Sequence, residues 1–503
     1  MKVAVVGSGV SGLAATWALN EHSDHEVHLY ESDSRTGGHA NTYQFMPQDV
    51  KSPKKVDVDT GFIVFNPSTY PNFINFLNLH PDITILPTEM TFSVSRDNGL
   101  FEWAGNNLST VFCQPYRLLD PNMWRLVYDV LRFNACSRRA ITRGASGQEL
   151  SIGEYLEREG YSDSFRDNYL IPMTAAIWST PPDKCSLDFP ADTLIQFLSN
   201  HHLLQVTGKP SWLTIDGGSR KYVDAIISKL PPSQLHINTP VVALSTRGSS
   251  AEPGPVELRT ADGRTEIYDR VILACHSDTA LAILNAGEGV TSEEKKILGR
   301  FSWNRNEVVL HSDPKFIPRS RIARACWNYL TFSEVDEKGM RKTNVDKVSL
   351  TYDMNELQHI SEKDHGLILV TLNPPSEPDP ARTITRVKYD HPIIDAKAVL
   401  SQTEISTIQN SRGIAYAGAW LRYGFHEDGF LSGLRAATEH VPGARLPFVV
   451  QTPGRRPDEV FAASLFDLFE GTGLRVVVGT VLALGLRVLQ VFARPFCSKI
   501  ATM

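Results

Sequence analysis

The 503-residue sequence lacks the cysteine spacing of a zinc site or of a disulfide framework. Its six cysteines lie far apart and form no CxxC pair, so we expect reduced, mostly buried thiols in an intracellular protein. A net charge of -6 gives no reason to expect a nucleic-acid partner. Because the first predicted strand begins at Lys2, there is no room for a signal peptide, and none is predicted.

Two signatures of catalytic sites are also missing. No GxSxG motif is present, so nucleophilic hydrolysis has little support. The run 426-HEDG-429 places His, Glu and Asp side by side rather than at the i, i+4 spacing of a metal-binding helix. Since no second ligand cluster is visible, no metal site is predicted. A hydrophobic content of 42% and a charged content of 21% are typical of a globular protein, and the length predicts two closely packed domains.

The informative N-terminal stretch is 2-KVAVVGSGVSGLAATWALNEHSDHEVHLYES-32. A short apolar strand runs into Gly7-x-Gly9-x-x-Gly12, an Ala-rich helix follows, and a second strand ends at Glu31. We expect a tight turn at Gly7, close approach of a pyrophosphate at Gly9, and close packing of helix on strand at Gly12. The N–H groups of the first helical turn, at Val10 and Ser11, would face the phosphates.

The acid at the end of the second strand narrows the choice of dinucleotide. Glu31 can accept hydrogen bonds from both ribose hydroxyls of an adenosine, and its charge disfavours a 2′-phosphate. NADP is therefore not expected at this site. The fingerprint by itself leaves both NAD and FAD open.

The next segment, 31-ESDSRTGGHANT-42, adds an arginine and a glycine pair. With these residues the sequence resembles the flavin-dependent amine oxidase superfamily, which includes phytoene desaturases and protoporphyrinogen oxidase and carries an E-x-x-x-R-x-G-G-R type motif. The resemblance implies noncovalent FAD, with this segment around the pyrophosphate and the ribityl chain. The residues implied there are Ser32, Arg35, Gly37, Gly38 and His39. His39 stands where many relatives have arginine.

A narrower resemblance is to a subgroup of predicted NAD/FAD-binding, amine oxidase-like proteins, some of them encoded beside or fused to cyclopropane fatty-acid synthases. The blocks that carry it occur in order over nearly all of residues 1–440. They are 57-DVDTGFIVFN-66, 175-AAIWS-179, 216-DGGSRKYV-223, 310-LHSD-313, 327-WNY-329, 351-TYDMNELQ-358, 371-TLNP-374, 389-YDHPIID-395 and 418-GAWLRYGFHEDGFLSG-433.

The fold that follows is of the α/β class. A Rossmann-like FAD-binding domain of the glutathione reductase type is expected to interleave with an amine oxidase-like substrate domain made of a mixed sheet and helices. We assign residues 1–70, 206–285 and 396–440 to the FAD domain and 71–205 and 286–395 to the substrate domain. Residues 441–460 are expected to be a linker. The backbone of Val241, in the first strand after residue 235, is expected to contact the adenine.

The segment 418-GAWLRYGFHEDGFLSGLRAA-437 corresponds to the flavin-end motif of the superfamily. The resemblance implies a helix, starting near Asp428, whose N-terminus stabilises negative charge on the reduced flavin. Relatives often have an acid where Ala419 stands, so that contact is either lost or supplied by Glu427 or Asp428. Asp428 is equally well explained as a helix N-cap. The cofactor residues implied are Gly418, Ala419, Glu427, Asp428, Gly429 and Phe430.

Four residues are candidates for a catalytic function, each with a plain structural alternative. His426 would face the flavin or be a core histidine. Tyr423, with Phe425, would form an aromatic wall over the flavin or be ordinarily buried. For His311 and Tyr329 the alternative is packing within strands.

The chemistry implied is hydride transfer to flavin N5. Amine-oxidising relatives often use a lysine-bound water near N5, and no such lysine can be placed here. An aromatic and aliphatic substrate domain fits a hydrophobic small molecule, such as a fatty acyl chain, a polyketide or an isoprenoid, that is oxidised or desaturated. The alternatives are a flavin amine oxidase, a redox-neutral flavin-dependent isomerase, and a flavin-bound partner of a lipid-modifying enzyme.

The C-terminal tail, 461–503, carries basic residues but no acid beyond Glu470. On a helical wheel Arg475, Arg487, Gln490 and Arg494 fall within an arc of roughly 120°, and the rest is almost wholly apolar. Because Arg487 interrupts the apolar run, we expect an interfacial helix with its basic side chains at lipid headgroups. The alternative is a helix packed on the protein or on a second subunit. The protein is expected in the cytoplasm or on a membrane surface.

Overall fold

The computed structural model describes residues 1–46, 54–144, 150–178, 187, 189–205, 211–246, 254–335, 341–343, 349–454 and 461–500. The strands are β1 (Lys2–Val6), β2 (Glu26–Tyr30), β3 (Thr42–Phe45), β4 (Val56–Asp59), β5 (Ile85–Thr88), β6 (Phe92–Arg96), β7 (Phe101–Ala104), β8 (Trp212–Ile215), β9 (Leu235–His236), β10 (Val241–Thr246), β11 (Val256–Thr260), β12 (Thr265–Tyr268), β13 (Arg270–Leu273), β14 (Ser302–His311), β15 (Trp327–Thr331), β16 (Ser333–Val335), β17 (Arg341–Thr343), β18 (Ser349–Asp353), β19 (Leu369–Leu372), β20 (Thr383–Ile393) and β21 (Ile414–Tyr416).

The helices are α1 (Val10–His22), α2 (Pro71–Leu77), α3 (Leu108–Val111), α4 (Pro121–Cys136), α5 (Arg139–Gly144), α6 (Ile152–Arg158), α7 (Asp163–Phe165), α8 (Ile171–Trp178), α9 (Ala191–Asn200), α10 (Arg220–Ile227), α11 (Ser277–Asn285), α12 (Ser292–Leu298), α13 (Met354–Leu357), α14 (Glu362–His365), α15 (Ala396–Glu404), α16 (His426–Glu439), α17 (Phe461–Gly471) and α18 (Leu474–Ile500). Short 3₁₀ turns cover Pro115–Leu119, Pro232–Gln234, Pro314–Phe316, Arg321–Ala323, Pro380–Arg382, Ile405–Thr407 and Ala419–Leu421, and a π turn covers Arg166–Leu170.

The first sheet is parallel and has the strand order β21-β13-β1-β2-β9. The sequence of β1 is a continuous apolar run because both faces of this sheet are covered. Val3 and Val5 pack into the cluster that contains α1 and α16, whereas Ala4 and Val6 pack into the cluster that contains α11 and α12. All five strands come from residues 1–70, 206–285 and 396–440.

The second sheet has seven strands in the order β20-β14-β19-β18-β15-β6-β7. Its strands come from residues 71–205 and 286–395. One face is apolar and packs on the helices α4 to α9. The structure thus has the expected α/β class, with a parallel nucleotide-type sheet and a mixed sheet joined to helices.

The opposite face of the second sheet carries a buried row of polar side chains. It crosses the strands β6, β15, β18, β19 and β14, at Ser93, Asn328, Thr351, Thr371 and His311. Hydrogen bonds join the row, among them Ser93 Oγ to Asn328 Oδ1 at 2.8 Å and the two threonine hydroxyls at 2.7 Å. Because each group has a partner, these polar residues stabilise the sheet from within.

Residues 441–454, expected to belong to a linker, pack on the first domain. The Phe448 ring stacks on Trp17 with centroids 5.8 Å apart. The Gln451 N–H donates to Asn72 Oδ1 at 2.8 Å, and its carbonyl accepts from Asn72 Nδ2 at 2.7 Å. We call residues 441–454 the strap. The rest of the predicted linker, 455–460, lies outside the described residues.

The tail consists of α17 and α18. Among the described residues, no single helix is long and apolar enough to span a membrane, although α17 and α18 up to Gln490 pass that test together and are bent by 76°.

Candidate active site

The loop from β1 into α1, residues 7–12, forms a concave surface that we call the cradle, with free space at one of its three glycines. Gly7 has a φ of +101°, and a Cβ there would lie 2.9 Å from the Ala274 carbonyl oxygen. At Gly12 a Cβ would lie 1.8 Å from the Gly7 carbonyl oxygen, so strand and helix touch through backbone. A Cβ at Gly9 would meet nothing within 4 Å. The space beside Gly9 and the free amides of the α1 N-terminus suit a phosphate group.

Glu31 marks one end of the cradle, where β2 ends. Its Oε2 accepts from the Ser8 N–H at 2.9 Å and from Ser8 Oγ at 2.5 Å. Its Oε1 accepts from the Asp33 N–H at 2.8 Å and from Ser32 Oγ at 3.2 Å. The carboxylate is therefore held in place, and the two serine hydroxyls can rotate away to let a ribose diol bind.

The start of β10 lies near the same end. The Thr239 N–H donates to the Glu31 carbonyl at 2.8 Å, which brings Val241 close to the end of β2. This side of the parallel sheet, at β2 and β9, is where an adenosine would bind.

Residues 35–38 fold back over the cradle. The Gly37 N–H donates to the Ser8 carbonyl at 3.0 Å, and the Arg35 guanidinium donates to the Gly38 carbonyl at 2.8 Å. A Cβ at Gly38 would lie 3.0 Å from Gly9 Cα. This loop therefore closes on Gly9 through backbone contact.

Helix α16 completes the cradle by packing directly on α1. A Cβ at Gly433 would lie 2.0 Å from the Ser11 carbonyl oxygen, and one at Gly429 would lie 2.5 Å from Val10 Cγ1. Ser432 Oγ accepts from the Gly418 N–H at 2.8 Å. The N-termini of α1 and α16 therefore lie together, with Gly418 and Ala419 beside them, and Phe430 is buried in the core behind.

Beyond the phosphate position, on the side of β13 and β21, the two sheets meet through aromatic rings. His276, just after β13, stacks on Trp303 of β14 with centroids 3.8 Å apart. His39 stacks on His391 of β20 at 5.2 Å and contacts the edge of Tyr389 at 4.7 Å. We call these five residues the flavin-end cluster, for the position that the C-terminal ends of β13 and β21 define.

The three histidines of this cluster are uncharged at neutral pH. Burial lowers the pKa of His391 to about 4 and holds the pKa of His39 well below its usual value. Burial also lowers the pKa of His276. The cluster therefore offers polar but neutral groups.

Residues 10–316 match the family profile described as flavin containing amine oxidoreductase, which is more than half of the chain. The chain belongs to this family. FAD is accordingly its cofactor and the protein is an FAD-dependent oxidoreductase.

Solved structures share the fold. The fatty acid isomerase of P. acnes that produces CLA is 13% identical, with a TM-score of 0.59 over 87% of this chain and 98% of that chain. Cyclohexylamine oxidase of Brevibacterium oxydans is 15% identical, with a TM-score of 0.58 over 87% and 98%. Putrescine oxidase bound to putrescine is 14% identical, with a TM-score of 0.57 over 87% and 99%. At these identities the likeness shows the fold alone. No curated protein matches the chain.

The cradle fits FAD on its own geometry. Gly9 leaves room for the pyrophosphate, Glu31 is placed for the adenosine ribose, and the N-terminus of α16 lies where a flavin would extend. Contacts of individual residues with FAD stay predictions. The chemistry FAD supplies when bound is acceptance of a hydride at N5.

The predicted helix near Asp428 begins two residues earlier, at His426. Asp428 is the third residue of the helix, and its Oδ2 accepts from the Phe425 N–H at 3.1 Å. Asp428 therefore stabilises the helix start from within the first turn rather than as its N-cap. Burial raises the pKa of Asp428 to about 6.

Glu427, expected to contact the cofactor, is bound to α2. One carboxylate oxygen accepts from the Asn72 N–H at 3.0 Å and from Asn72 Nδ2 at 2.6 Å, and the other accepts from the Phe73 N–H at 3.0 Å. These N–H groups belong to the first turn of α2, so Glu427 caps that helix although it lies 355 positions after Asn72 in the sequence. Its two oxygens have protein partners, and burial raises its pKa to about 8.

His426 lies in an aromatic core. Its ring stacks on Phe62 with centroids 3.6 Å apart, contacts the edge of Phe73 at 5.2 Å, and Nε2 is 2.9 Å from the Tyr222 hydroxyl. Burial lowers its pKa to about 3. The structure thus favours the core-histidine interpretation.

Tyr423 and Phe425 line a small pocket of about 10 Å³ that also includes Arg422 and Asp428. Phe425 stacks on Phe197 of α9 at 5.0 Å, and Tyr423 contacts the edge of the same ring at 5.4 Å. Both aromatic residues therefore join α16 to the helical part of the substrate domain.

His311 is separated from Tyr389 and His391 of the flavin-end cluster in two ways. It lies on the polar face of the second sheet, whereas Asn304 and Asn306 of the same strand lie on the other face beside Tyr389 and His391. It also lies five residues or more from them, roughly 17 Å along the strand. His311 Nδ1 accepts from the Asp313 N–H at 3.1 Å, so Nε2 carries the proton and bonds Thr371 Oγ1 at 2.7 Å. His311 is a structural residue, and the catalytic assignment is not supported.

Tyr329 lies on the same sheet face as the flavin-end cluster but several strands away. Three strand spacings separate β15 from β14, or about 14 Å. Tyr329 is fully buried between Val94 and Leu350. A direct role at the flavin therefore has no geometric support, and strand packing explains the residue.

The sequence interpretation missed His391, His276, Trp303, Tyr389 and Asn306. Two of them stood in the block 389-YDHPIID-395, where Tyr389 and His391 alternate along one face of a strand. This spacing of two residues, which places two polar aromatic side chains on one strand face, is the sequence signal that could have identified them. Within the described residues, no group of three or more His, Cys, Asp or Glu is arranged to hold a metal ion.

Proposed function

We propose that the protein oxidises or desaturates an uncharged, hydrophobic small molecule, such as a fatty acyl chain, a polyketide or an isoprenoid. The observation that carries the proposal is the composition of the flavin-end cluster. His39, His276 and His391 are neutral, and the other two members are Trp303 and Tyr389. The five side chains of the cluster themselves offer no charge with which to bind an ionic substrate.

Amine-oxidising relatives often use a lysine near flavin N5, and no lysine of the described residues lies at the cluster. Of the lysines whose side chains the structure describes, all but Lys2 are exposed. Lys2 is half-buried and pairs with Glu266 at 2.8 Å in the first domain. This distribution supports a substrate other than an amine.

The sheet face that continues from the cluster is apolar. Across it run Val308, Leu372, Leu350, Tyr329 and Val94 on neighbouring strands, all buried in one hydrophobic cluster. A substrate that binds at the cluster, beside this apolar face, would lose its water without gaining charged partners from it. An apolar molecule is favoured under those conditions.

One histidine is fixed in a single tautomer. Asn306 Oδ1 accepts from Asn304 Nδ2 at 3.0 Å and from Asn373 Nδ2 at 2.7 Å, so its Nδ2 is the group that faces His391 Nδ1 at 2.8 Å. His391 Nδ1 must then accept, and Nε2 carries the proton. In this tautomer His391 can donate a hydrogen bond from Nε2 to a substrate or flavin oxygen, and it cannot take a proton there.

The test of the substrate class is anaerobic mixing of the FAD-loaded protein with two panels of compounds. One panel contains a fatty acid methyl ester, a free fatty acid and an isoprenoid alcohol, and the other contains benzylamine and putrescine. Loss of flavin absorbance in proportion to product, with the first panel only, supports the proposal. Bleaching by the amines, or product formed from the apolar panel without bleaching, would show an amine oxidase or an isomerase instead.

The test of the fixed tautomer is Asn306→Asp. An Asp carboxylate would accept a hydrogen bond from a protonated His391 Nδ1, stabilise the charged imidazolium, and raise the His391 pKa into the range of pH 5 to 8. We expect the flavin absorbance spectrum to become pH-dependent over that range in the variant and to stay constant in the wild type. Equal pH dependence in both proteins would contradict the assignment.

A further inference from the structure

The tail presents an apolar surface that nothing in the described chain covers. In α17, Leu465 and Leu468 are 56% and 60% exposed. In α18, Val481, Leu484, Val488 and Phe492 are between 55% and 72% exposed. We call these six residues the tail face. A connected apolar surface of this kind is characteristic of an interaction site rather than of ordinary solvent-exposed helix.

Helix α18 touches the body along a narrow line. Its partly buried positions are Arg475, Ala483, Leu486 and Gln490, which fall within about 80° on a helical wheel. Arg475 Nε donates to Glu470 at 2.7 Å, and Gln490 Nε2 donates to the Leu119 carbonyl at 2.8 Å. Arg475 and Gln490, which were expected to lie at lipid headgroups, therefore bind the protein itself.

The acids of α17 also bind groups of the protein body. Asp467 is bound by the Arg139 guanidinium at 2.7 Å. Glu470 accepts from the Tyr128 hydroxyl at 2.8 Å, in addition to its bond with Arg475. The tail thus uses its polar groups to attach to α4 and leaves its apolar groups outside.

The shape of this surface indicates what covers it. The exposed apolar side chains of α18 span about 240° of the helix circumference. A protein partner covers one side of a helix, whereas the acyl region of a bilayer surrounds it. The chain beyond Glu470 contains basic residues and no acid, which complements an anionic lipid surface. Arg487, exposed at the border of the apolar arc, is placed to reach headgroups.

We propose that the tail face inserts into the interfacial region of an anionic lipid bilayer and holds the enzyme on it. The body of the protein approaches the same surface with exposed side chains of the Pro115–Leu119 turn and α4, the elements that α18 contacts. Tyr116, Leu118 and Trp124 are exposed there, and the Trp124 indole donates to the Leu118 carbonyl at 2.9 Å. Tyrosine and tryptophan are the residues that favour the headgroup level. This inference does not depend on the substrate proposed above.

The experiment is flotation of the full-length, FAD-loaded protein with vesicles of phosphatidylcholine, with and without phosphatidylglycerol. We expect the wild type to float with the anionic vesicles. The double variant Val481→Asp/Leu484→Asp should bind at least about tenfold more weakly, because two charges would enter the apolar region. Arg487→Gln should weaken binding to the anionic vesicles by about fivefold and leave binding to neutral vesicles unchanged.

The control is Ile267→Asp, which replaces an exposed apolar residue by one of the two acids of the double variant, at a position 61% exposed in β12 of the first domain. It should float as the wild type does. Retained flavin absorbance and an unchanged far-ultraviolet CD spectrum show that each variant is folded. The proposal is overturned if the folded wild type does not float. It is also overturned if light scattering without lipid shows a dimer that Val481→Asp/Leu484→Asp dissociates, since the tail face would then bind a second copy.

Discussion

The contact between α1 and α16 predicts a strong effect of one methyl group on FAD binding. In Gly433→Ala the new Cβ would lie 2.0 Å from the Ser11 carbonyl oxygen, whereas ordinary contact begins at 3.4 Å. Neither partner is a side chain that can rotate, so the helices must separate by about 1.4 Å, the difference between those distances. Such overpacking costs about 1–3 kcal/mol, and the gain in helix propensity from glycine to alanine offsets about 1 kcal/mol of it.

The larger consequence falls on the cofactor. Ser11 belongs to the first turn of α1, whose N–H groups face the pyrophosphate position. Displacing that turn should remove at least one charge-assisted hydrogen bond, worth about 1.5–3 kcal/mol, and weaken FAD binding roughly 10- to 150-fold. Titration of the apoprotein with FAD, followed by flavin fluorescence, measures the change.

Two further variants make the prediction sharper. Gly429→Ala brings a Cβ to 2.5 Å from Val10 Cγ1, the end of a side chain, so its effect should be smaller than that of Gly433→Ala. Gly485→Ala, in α18, meets nothing within 4 Å and should bind FAD as the wild type does. If Gly433→Ala keeps the wild-type dissociation constant for FAD, the direct packing of α16 on the cradle is not what shapes the site.

Three other expectations concern the cofactor, a buried ion pair and pH. Glu31→Gln should weaken FAD binding by about 10- to 100-fold in the same titration, because a neutral amide binds the ribose hydroxyls less strongly than a carboxylate. Glu294→Gln should lower the free energy of unfolding by about 3–5 kcal/mol in urea with FAD present, since the carboxylate holds the buried Arg412 guanidinium with two bonds of 2.9 Å. For His426, with a folded pKa of about 3 and an unfolded pKa near 6.5, the folded protein binds fewer protons than the unfolded chain, so this residue's stabilising contribution is present above pH 6.5 and is lost as the pH falls toward 3. His426→Phe should therefore reduce the loss of stability between pH 7 and pH 5 by about 2 kcal/mol.

Controls for these variants use exposed groups nearby. Asp33→Asn changes a neighbouring, mostly exposed carboxylate and should leave FAD binding within about twofold. Glu293→Gln breaks only an exposed pair with Lys296 and should cost less than about 1 kcal/mol. Normal FAD binding in Glu31→Gln, equal losses in Glu293→Gln and Glu294→Gln, or an unchanged pH dependence in His426→Phe would each contradict the corresponding reasoning.

The cradle could be predicted because the residues that bind a dinucleotide follow a fixed spacing within a short stretch of sequence. Gly7, Gly9 and Gly12 are separated by fixed numbers of residues, and Glu31 follows one strand later, so the whole pattern lies within 31 residues of sequence. The fold class follows from the same pattern. No long-range contact had to be known to recognise it.

The residues at the flavin end were harder to place because their environment is assembled from distant segments. His39 and His391 are 352 positions apart and meet only when the two sheets are joined. Glu427 was expected at the cofactor because sequence shows its neighbours in the chain, whereas its actual partners lie in α2. For His311 the sequence indicates a strand but not the sheet face on which the side chain lies. The pairing register with β19 determines that face.

The strap ties the C-terminal side of the chain to the helix that begins at the flavin end. Gln451 binds Asn72, Asn72 binds Glu427 in the first turn of α16, and the Arg422 guanidinium donates to the Pro453 carbonyl at 3.1 Å. A protein shortened to residue 440, where the nucleotide-binding segments end, would keep the bond between Asn72 and Glu427 but lose the contacts made by Gln451 and Pro453, and it would expose Trp17 where Phe448 covers it. Any tail-free version for crystallisation should therefore end after Gly454, so that the tail is removed without loosening the FAD site.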